Sequence, residues 1–214
     1  MDSYKTAFIK LAVQHQVLRF GSFTLKSGRV SPYFFNLGAI SSGAGLRELA
    51  RAYAAALNAS GLAYDMLFGP AYKGIPLAAA LAVMLAESGR DLPYAYNRKE
   101  AKDHGEGGTL VGTPPRGRVV IVDDVLTAGT AMRESVKLLR AAGAQPVAAL
   151  IALDRQETGP DGKSAVKELE AAEGIRVIPL VTLQDVLSFA GAGGTDAQTL
   201  AAMRDYQARY GVPA

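Results

Sequence analysis

The chain predicts an α/β fold, a mainly parallel sheet doubly wound by helices, with an N-terminal hood and a flexible loop attached. Three observations carry that expectation. Apolar runs of strand length recur, as in Met66-Leu67-Phe68, Val119-Val120-Ile121-Val122 and Val147 to Leu153. Helical stretches with one apolar face separate them, and the strands stop at glycine-rich or charged residues instead of tight hairpin turns. No internal repeat and no shift of composition marks a second unit, so residues 1–214 read as one domain, with residues 1–40 and C-terminal elements forming the hood.

Tyr4, Phe8, Leu11 and Ala12 share one face of a first helix, and Val17 to Leu25 reads as extended, Phe23 and Leu25 alternating with Thr24 and Lys26. Lys26-Ser27-Gly28-Arg29 is a turn. Ser31 to Asn36 leaves it in extended form, because the residue before a proline disfavours helix. A helix from about Gly45 to Ser60 carries the stripe Leu46, Leu49, Tyr53 and Leu57 and closes at Gly61. Asp65 to Phe68 is a short buried strand that runs into Gly69-Pro70-Ala71-Tyr72-Lys73-Gly74 and another helix.

Pro93 to Tyr96 is a further strand, after which the pattern breaks. Arg98 to Thr109 holds seven charged or titratable residues and three glycines, and reads as a mobile surface loop. Beyond it, Met132, Val136 and Leu139 fall on one helical face ended by Gly143, and the strand Pro146 to Leu153 stops at Asp154-Arg155-Gln156-Glu157. A helix over Lys163 to Glu173, a strand over Ile175 to Val181 and a short helix from Thr182 to Phe189, capped by Thr182, follow. Gly191 to Gly194 links these to a last helix over Thr195 to Tyr210.

The 214 residues contain no cysteine, which excludes disulfides, zinc–thiolate sites and a cysteine nucleophile. A net charge of +3 suits a small anionic ligand and is too mild to imply nucleic acid. Met1 to Lys5 has no signal-peptide form, and the longest apolar run, Gly74 to Ala86, is too short for a bilayer core of ~30 Å. A cytoplasmic protein with neither membrane nor nucleic-acid partners is expected. Lys73 is followed by Gly-Ile-Pro, so its loop is no Walker A element, and no complete Gly-x-Gly-x-x-Gly occurs.

The chemistry concentrates in Val119 to Met132. An apolar strand meets Asp123 and Asp124, then a Thr- and Gly-containing turn, then a helix N-terminus whose backbone N–H groups and dipole favour phosphate. Two carboxylates would repel that phosphate, so they serve ribose hydroxyls or a divalent metal, and the ligand implied is a phosphorylated sugar. The bland alternative makes Asp124 a helix cap and Asp123 a solvated strand end.

This stretch resembles the phosphoribosyl pyrophosphate signature of the type I phosphoribosyltransferases. The resemblance implies that Asp123 and Asp124 hold the ribose hydroxyls while Val125, Leu126, Thr127, Ala128, Gly129, Thr130 and Ala131 cradle the 5-phosphate. Ala128 departs from the wider pattern, leaving the hydroxyl contacts to Thr127 and Thr130, and that variant is similar to the orotate branch. The same resemblance makes Lys26, Tyr72 and Lys73 pyrophosphate-binding, and matches Arg98, Lys99, Lys102 and His104 to a flexible catalytic loop.

It further assigns Phe34, Phe35, Thr127 and Arg155 to orotate, a guanidinium fork suiting a planar carboxylate. Catalysis then falls to Lys26, Lys73, Lys102, His104, Asp123 and Asp124. Mg2+ is held mainly by substrate phosphates, with no direct protein ligand and at most a water-mediated link to Asp123 and Asp124. The working unit implied is a homodimer sharing its sites across the interface. Taken without the resemblance, Phe34 and Phe35 are core, Lys26 a solvated turn residue, Lys73 a cap-region lysine and Arg155 a surface partner of Glu157. His15 reads as structural. The length argues against a fused decarboxylase. A phosphoribosyltransferase for another base, and a non-catalytic regulator that senses phosphoribosyl pyrophosphate, are the alternatives.

Overall fold

A computed structural model describes residues 2–25, 28–102, 108–126, 129–159 and 162–212, with backbone alone at 101, 102 and 108. The main sheet contains β3 (Met66–Gly69), β4 (Tyr94–Lys102), β5 (Gly108–Gly112), β6 (Arg118–Val122), β7 (Gln145–Asp154) and β8 (Arg176–Thr182). Their order is β5-β4-β3-β6-β7-β8, every pair being parallel except β4 with β5. A separate antiparallel hairpin joins β1 (Leu18–Thr24) to β2 (Val30–Phe35).

Period-two alternation divides β6 between two cores. Val120 and Val122 face a layer with α1 (Ser3–Gln14), α2 (Gly43–Ala59), α3 (Gly74–Glu87) and α6 (Leu183–Phe189), represented by Phe8, Leu57, Leu81 and Leu187. Val119 and Ile121 face α4 (Thr130–Ala141) and α5 (Ala165–Glu173) through Met132, Val136, Leu139 and Leu169. A strand covered on both sides has no polar face to show, which is why β6 reads as a continuous apolar run.

From β3 the chain crosses to β4 on one side, whereas β6 leads to β7 and β8 on the other. The strand order therefore reverses between β3 and β6. In open α/β sheets the crevice at the carboxyl ends of such a pair is where ligands bind. The β3–α3 and β6–α4 loops both emerge there.

Most predicted helices and strands appear within a few residues of their expected limits. Thr182 caps α6 by accepting from Asp185 N, and Asp185 Oδ2 in turn accepts from Thr182 N. The C-terminal helix α7 (Ala197–Tyr210) packs its Tyr206 ring edge-on to Tyr33 of the hairpin. One expectation is corrected: Arg98 to Thr109 is not a loop throughout. β4 continues to Lys102 and pairs antiparallel with β5, forming a ribbon at the sheet's edge. Backbone hydrogen bonds hold such a ribbon without an apolar face, so its charged side chains hide it from a pattern search. Among the described residues no helix is long and apolar enough to cross a membrane.

Candidate active site

The acids stand where β6 leaves the sheet, yet their backbone remains paired with β7. Asp123 N donates to Leu150 O at 3.0 Å, Ala152 N donates to Asp124 O at 2.8 Å, and Val125 bridges to Leu153. The Asp123 carbonyl is held from the other side, where the Tyr53 hydroxyl of α2 donates to it at 2.8 Å. Each carboxylate also accepts the next N–H: Asp124 N donates to Asp123 Oδ1 at 2.9 Å, and Val125 N to Asp124 Oδ1 at 2.8 Å.

The second loop meets the first through Lys73, whose ammonium pairs with Asp124 Oδ2. Close packing makes this meeting possible. A Cβ on Gly74 would lie 2.6 Å from the Val122 carbonyl oxygen and also strike Pro70, so only glycine lets α3 begin this near β6. From β4, Asn97 Oδ1 accepts the Ala71 N–H at 3.0 Å, and the Lys99 ammonium lies 4.8 Å from the exposed Tyr72 ring centre. The same tract thus carries Asn97 and Lys99 to the β3–α3 loop, with Arg98 between them in β4.

Burial pushes the Asp123 carboxyl up to about 6. The Asp124 N–H and the Lys73 ammonium oppose that rise, and the neighbouring Asp124 carboxylate adds to it. Asp124 is not a helix cap. α4 begins only at Thr130, its N-cap is Gly129 in the left-handed region at φ 72°, and no side chain among the described residues caps it. The bland reading of Asp124 is therefore overturned. Thr130 and Ala131 are exposed in the first turn of α4, leaving its N–H groups available to an anion. Val125 and Leu126 are half-buried behind the acids.

The structure gathers Tyr72, Lys73, Asp123, Asp124, Val125, Gly129, Thr130 and Ala131 at the crevice. Lys26, His104, Thr127 and Ala128 lie outside the described residues, as does the side chain of Lys102. Phe34 and Phe35, expected as a pair, point to opposite faces of β2. Phe34 stacks near Phe23 at 5.5 Å under the Arg19 guanidinium, while Phe35 packs on the core. Neighbouring strand residues must diverge in this way, so one flat ligand cannot lie against both rings from one side.

Arg155 lies just past β7, beside the Val125 bridge. It makes the pairing with Glu157 that the bland reading expects: Nε donates to Oε1 at 2.8 Å, and Nη2 is 2.7 Å from the same oxygen. This is not the exposed pair of that reading, because the two side chains are only 20% and 15% exposed and the guanidinium covers the Tyr33 ring at 4.5 Å.

With this geometry in view, the comparisons are specific. Residues 38–179 match the phosphoribosyl transferase domain model. The chain is 58% identical to orotate phosphoribosyltransferase of Thioalkalivibrio sulfidiphilus, over 99% of this chain and 100% of that one. It is 55% identical to the protein of the same name in Cellvibrio japonicus, over 99% of each. The chain belongs to the orotate phosphoribosyltransferase family. The crystal structure of the Francisella tularensis orotate phosphoribosyltransferase superposes with a TM-score of 0.87 at 40% identity, covering 95% of this chain and 98% of that one.

Sequence reasoning missed three supports of this phosphoribosyltransferase site. Tyr53 was legible only as a core stripe, although a fully buried tyrosine needs a partner for its hydroxyl. Asn97 closed a strand without any visible partner. Glu157 stood only as a reason to discount Arg155.

Proposed function

We propose that the chain transfers the phosphoribosyl group of phosphoribosyl pyrophosphate to orotate, giving orotidine 5-phosphate and pyrophosphate, a step of pyrimidine nucleotide synthesis. The observation that carries this reading is the meeting of two strand–loop–helix units at the switch point, joined by Lys73 and Asp124 beside the N-terminus of α4, whose N-cap is a glycine. The α4 N-terminus and its loop suit the 5-phosphate, Asp123 and Asp124 the two ribose hydroxyls, and Lys73 with Tyr72 the pyrophosphate.

The bond from ribose C1 to pyrophosphate breaks with its electron pair leaving on the pyrophosphate, so charge grows there while the ribose becomes oxocarbenium-like. Orotate N1 forms the new bond to C1 and gives up its proton. Preorganised cations at the leaving group are then worth more than a protein nucleophile. Lys73, Lys26, Arg98, Lys99, Lys102 and His104 are the groups proposed for that work. Arg155 receives the orotate carboxylate, with Thr127 and the backbone of Phe34 and Phe35 at the ring.

The donor set fits Mg2+ only loosely. Among the described residues no cluster of three metal-binding side chains exists, and each acid already accepts a backbone N–H. Asp123 and Asp124 would therefore hold it through water while the substrate phosphates bind it directly, and it would supply charge neutralisation on the pyrophosphate. The ribbon β4–β5 stands at the sheet's edge, which supports a homodimer in which its tip serves the neighbouring subunit's site, working in the cytoplasm where its phosphorylated substrate is made. Loss of orotate absorbance in the presence of phosphoribosyl pyrophosphate and Mg2+ tests the reaction. Turnover of uracil or a purine in place of orotate would overturn it.

A further inference from the structure

Glu157 holds Arg155 in a manner that a chance ion pair does not require. Its Oε1 accepts from Arg155 Nε at 2.8 Å and from the Tyr33 hydroxyl at 3.2 Å, and its Oε2 faces Arg29 Nη1 at 3.8 Å. The backbone at Glu157 bridges to Gly211, and Thr158 N donates to Tyr210 O at 2.8 Å, so the carboxylate is fixed between the hairpin and α7. Arg155 is clamped by three groups: the Tyr33 ring below, Glu157 along its Nε–Nη2 edge, and the Tyr206 hydroxyl beside it.

What remains of the guanidinium is informative. Its Nε donates to Glu157 Oε1, the buried Nη2 lies 2.7 Å from the same oxygen, and the Tyr206 hydroxyl faces the same guanidinium. A planar guanidinium fixed along its Nε–Nη2 edge has its plane and direction set, and Nη1, on the far side from Glu157, is left to meet a carboxylate oxygen. We infer that Glu157 is the positioning residue that aims Arg155 at the carboxylate of the base, and so selects an anionic base. The inference rests on the assignment of Arg155 to orotate. Glu157 itself touches no substrate. Its negative charge lowers the general attraction for anions at the site, and its return is direction.

The test compares Michaelis constants for both substrates in Arg155→Ala, Glu157→Ala, Glu157→Gln and the double variant Arg155→Ala/Glu157→Ala. Residues in one hydrogen-bonded network couple strongly, and a rise of about tenfold in the orotate constant is expected for Glu157→Ala, with that for phosphoribosyl pyrophosphate unchanged. Glutamine keeps the acceptor for Nε and for Tyr33, so Glu157→Gln should recover most of that loss. The double variant should be no worse than Arg155→Ala, because the carboxylate has nothing left to aim. A lower orotate constant in Glu157→Ala would overturn the inference, showing an acid that only competes with the substrate. So would an equal rise for both substrates, or fully additive losses in the double variant, which mark a structural role. If Glu157→Ala fails to fold, Glu157→Gln with Arg155→Ala/Glu157→Gln gives the same comparison. Should Arg155→Ala itself leave the orotate constant unchanged, the assignment of Arg155 falls first, separately from Glu157.

Discussion

Asp123→Asn should make the protein more stable while impairing its use of phosphoribosyl pyrophosphate. Burial raises the Asp123 carboxyl from 3.8 to about 6, so at neutral pH the fold holds an ionised group in a place that favours the neutral one. A group whose folded value exceeds its unfolded value binds more protons when folded. For a carboxyl this means a penalty fully present above the folded value and lost as pH falls towards the unfolded one. A difference of roughly two units corresponds to roughly 3 kcal/mol. For a chain of this size that is a gain of roughly 6 to 12 °C in melting temperature at pH 8. The change is nearly isosteric, and the amide oxygen still accepts the Asp124 N–H. At pH 5 the parent carboxyl is mostly protonated in the fold, and the advantage of the asparagine should shrink to about half. Thermal melts of both proteins at pH 8 and pH 5, with steady-state kinetics beside them, measure this directly. In the parent, the Michaelis constant for phosphoribosyl pyrophosphate should climb as pH falls through about 6, where the acceptor for a ribose hydroxyl is lost. A variant no more stable than the parent at pH 8, or a gain independent of pH, refutes the reasoning.

How far the sequence discloses this site depends on what holds each part. β3, β6 and β7 are legible because strands buried on both faces must be apolar throughout, and Gly61 and Gly143 end their helices with the positive φ that the pattern expects. The β4–β5 ribbon is not legible, since its stability lies in backbone bonds that no side-chain pattern reports. The acids are visible as a motif, but Val119 to Met132 alone does not say whether Asp124 caps α4. That is decided by the five residues between Asp124 and Thr130 and by Lys73, which arrives from 51 positions earlier in the chain. Arg155 and Glu157 show a further limit. Their spacing suggests a surface pair, and only the hairpin folded over them, with Tyr33 beneath the guanidinium, makes the pair a largely buried one.

The remaining predictions separate the supports of the acids from the cations. Tyr53→Phe strips the Asp123 carbonyl of its donor and should cost roughly 1 to 3 kcal/mol of stability. It should also raise the Michaelis constant for phosphoribosyl pyrophosphate and not that for orotate; equal rises, or none, would discard Tyr53 as a support of the acids. Gly74→Ala forces a methyl group against the Val122 carbonyl. It should lower stability by more than about 3 kcal/mol or prevent folding, as backbone overlaps do, and a melt within 2 °C (about 1 kcal/mol or less for a chain of this size) of the parent would show that α3 can shift. The shared dimer site is tested by mixing Lys102→Ala, expected to lose ~10² to 10³ in turnover, with Asp124→Asn, each homodimer being nearly inactive. In a mixed dimer whose ribbon acts in the partner's site, the Lys102→Ala subunit has intact acids and receives an intact ribbon, while the other site carries both defects, so one site of two works. If the ribbon acts within its own chain, each site keeps one defect and mixing restores nothing. A purified mixed dimer without recovered activity therefore sinks the shared site and leaves the reaction standing.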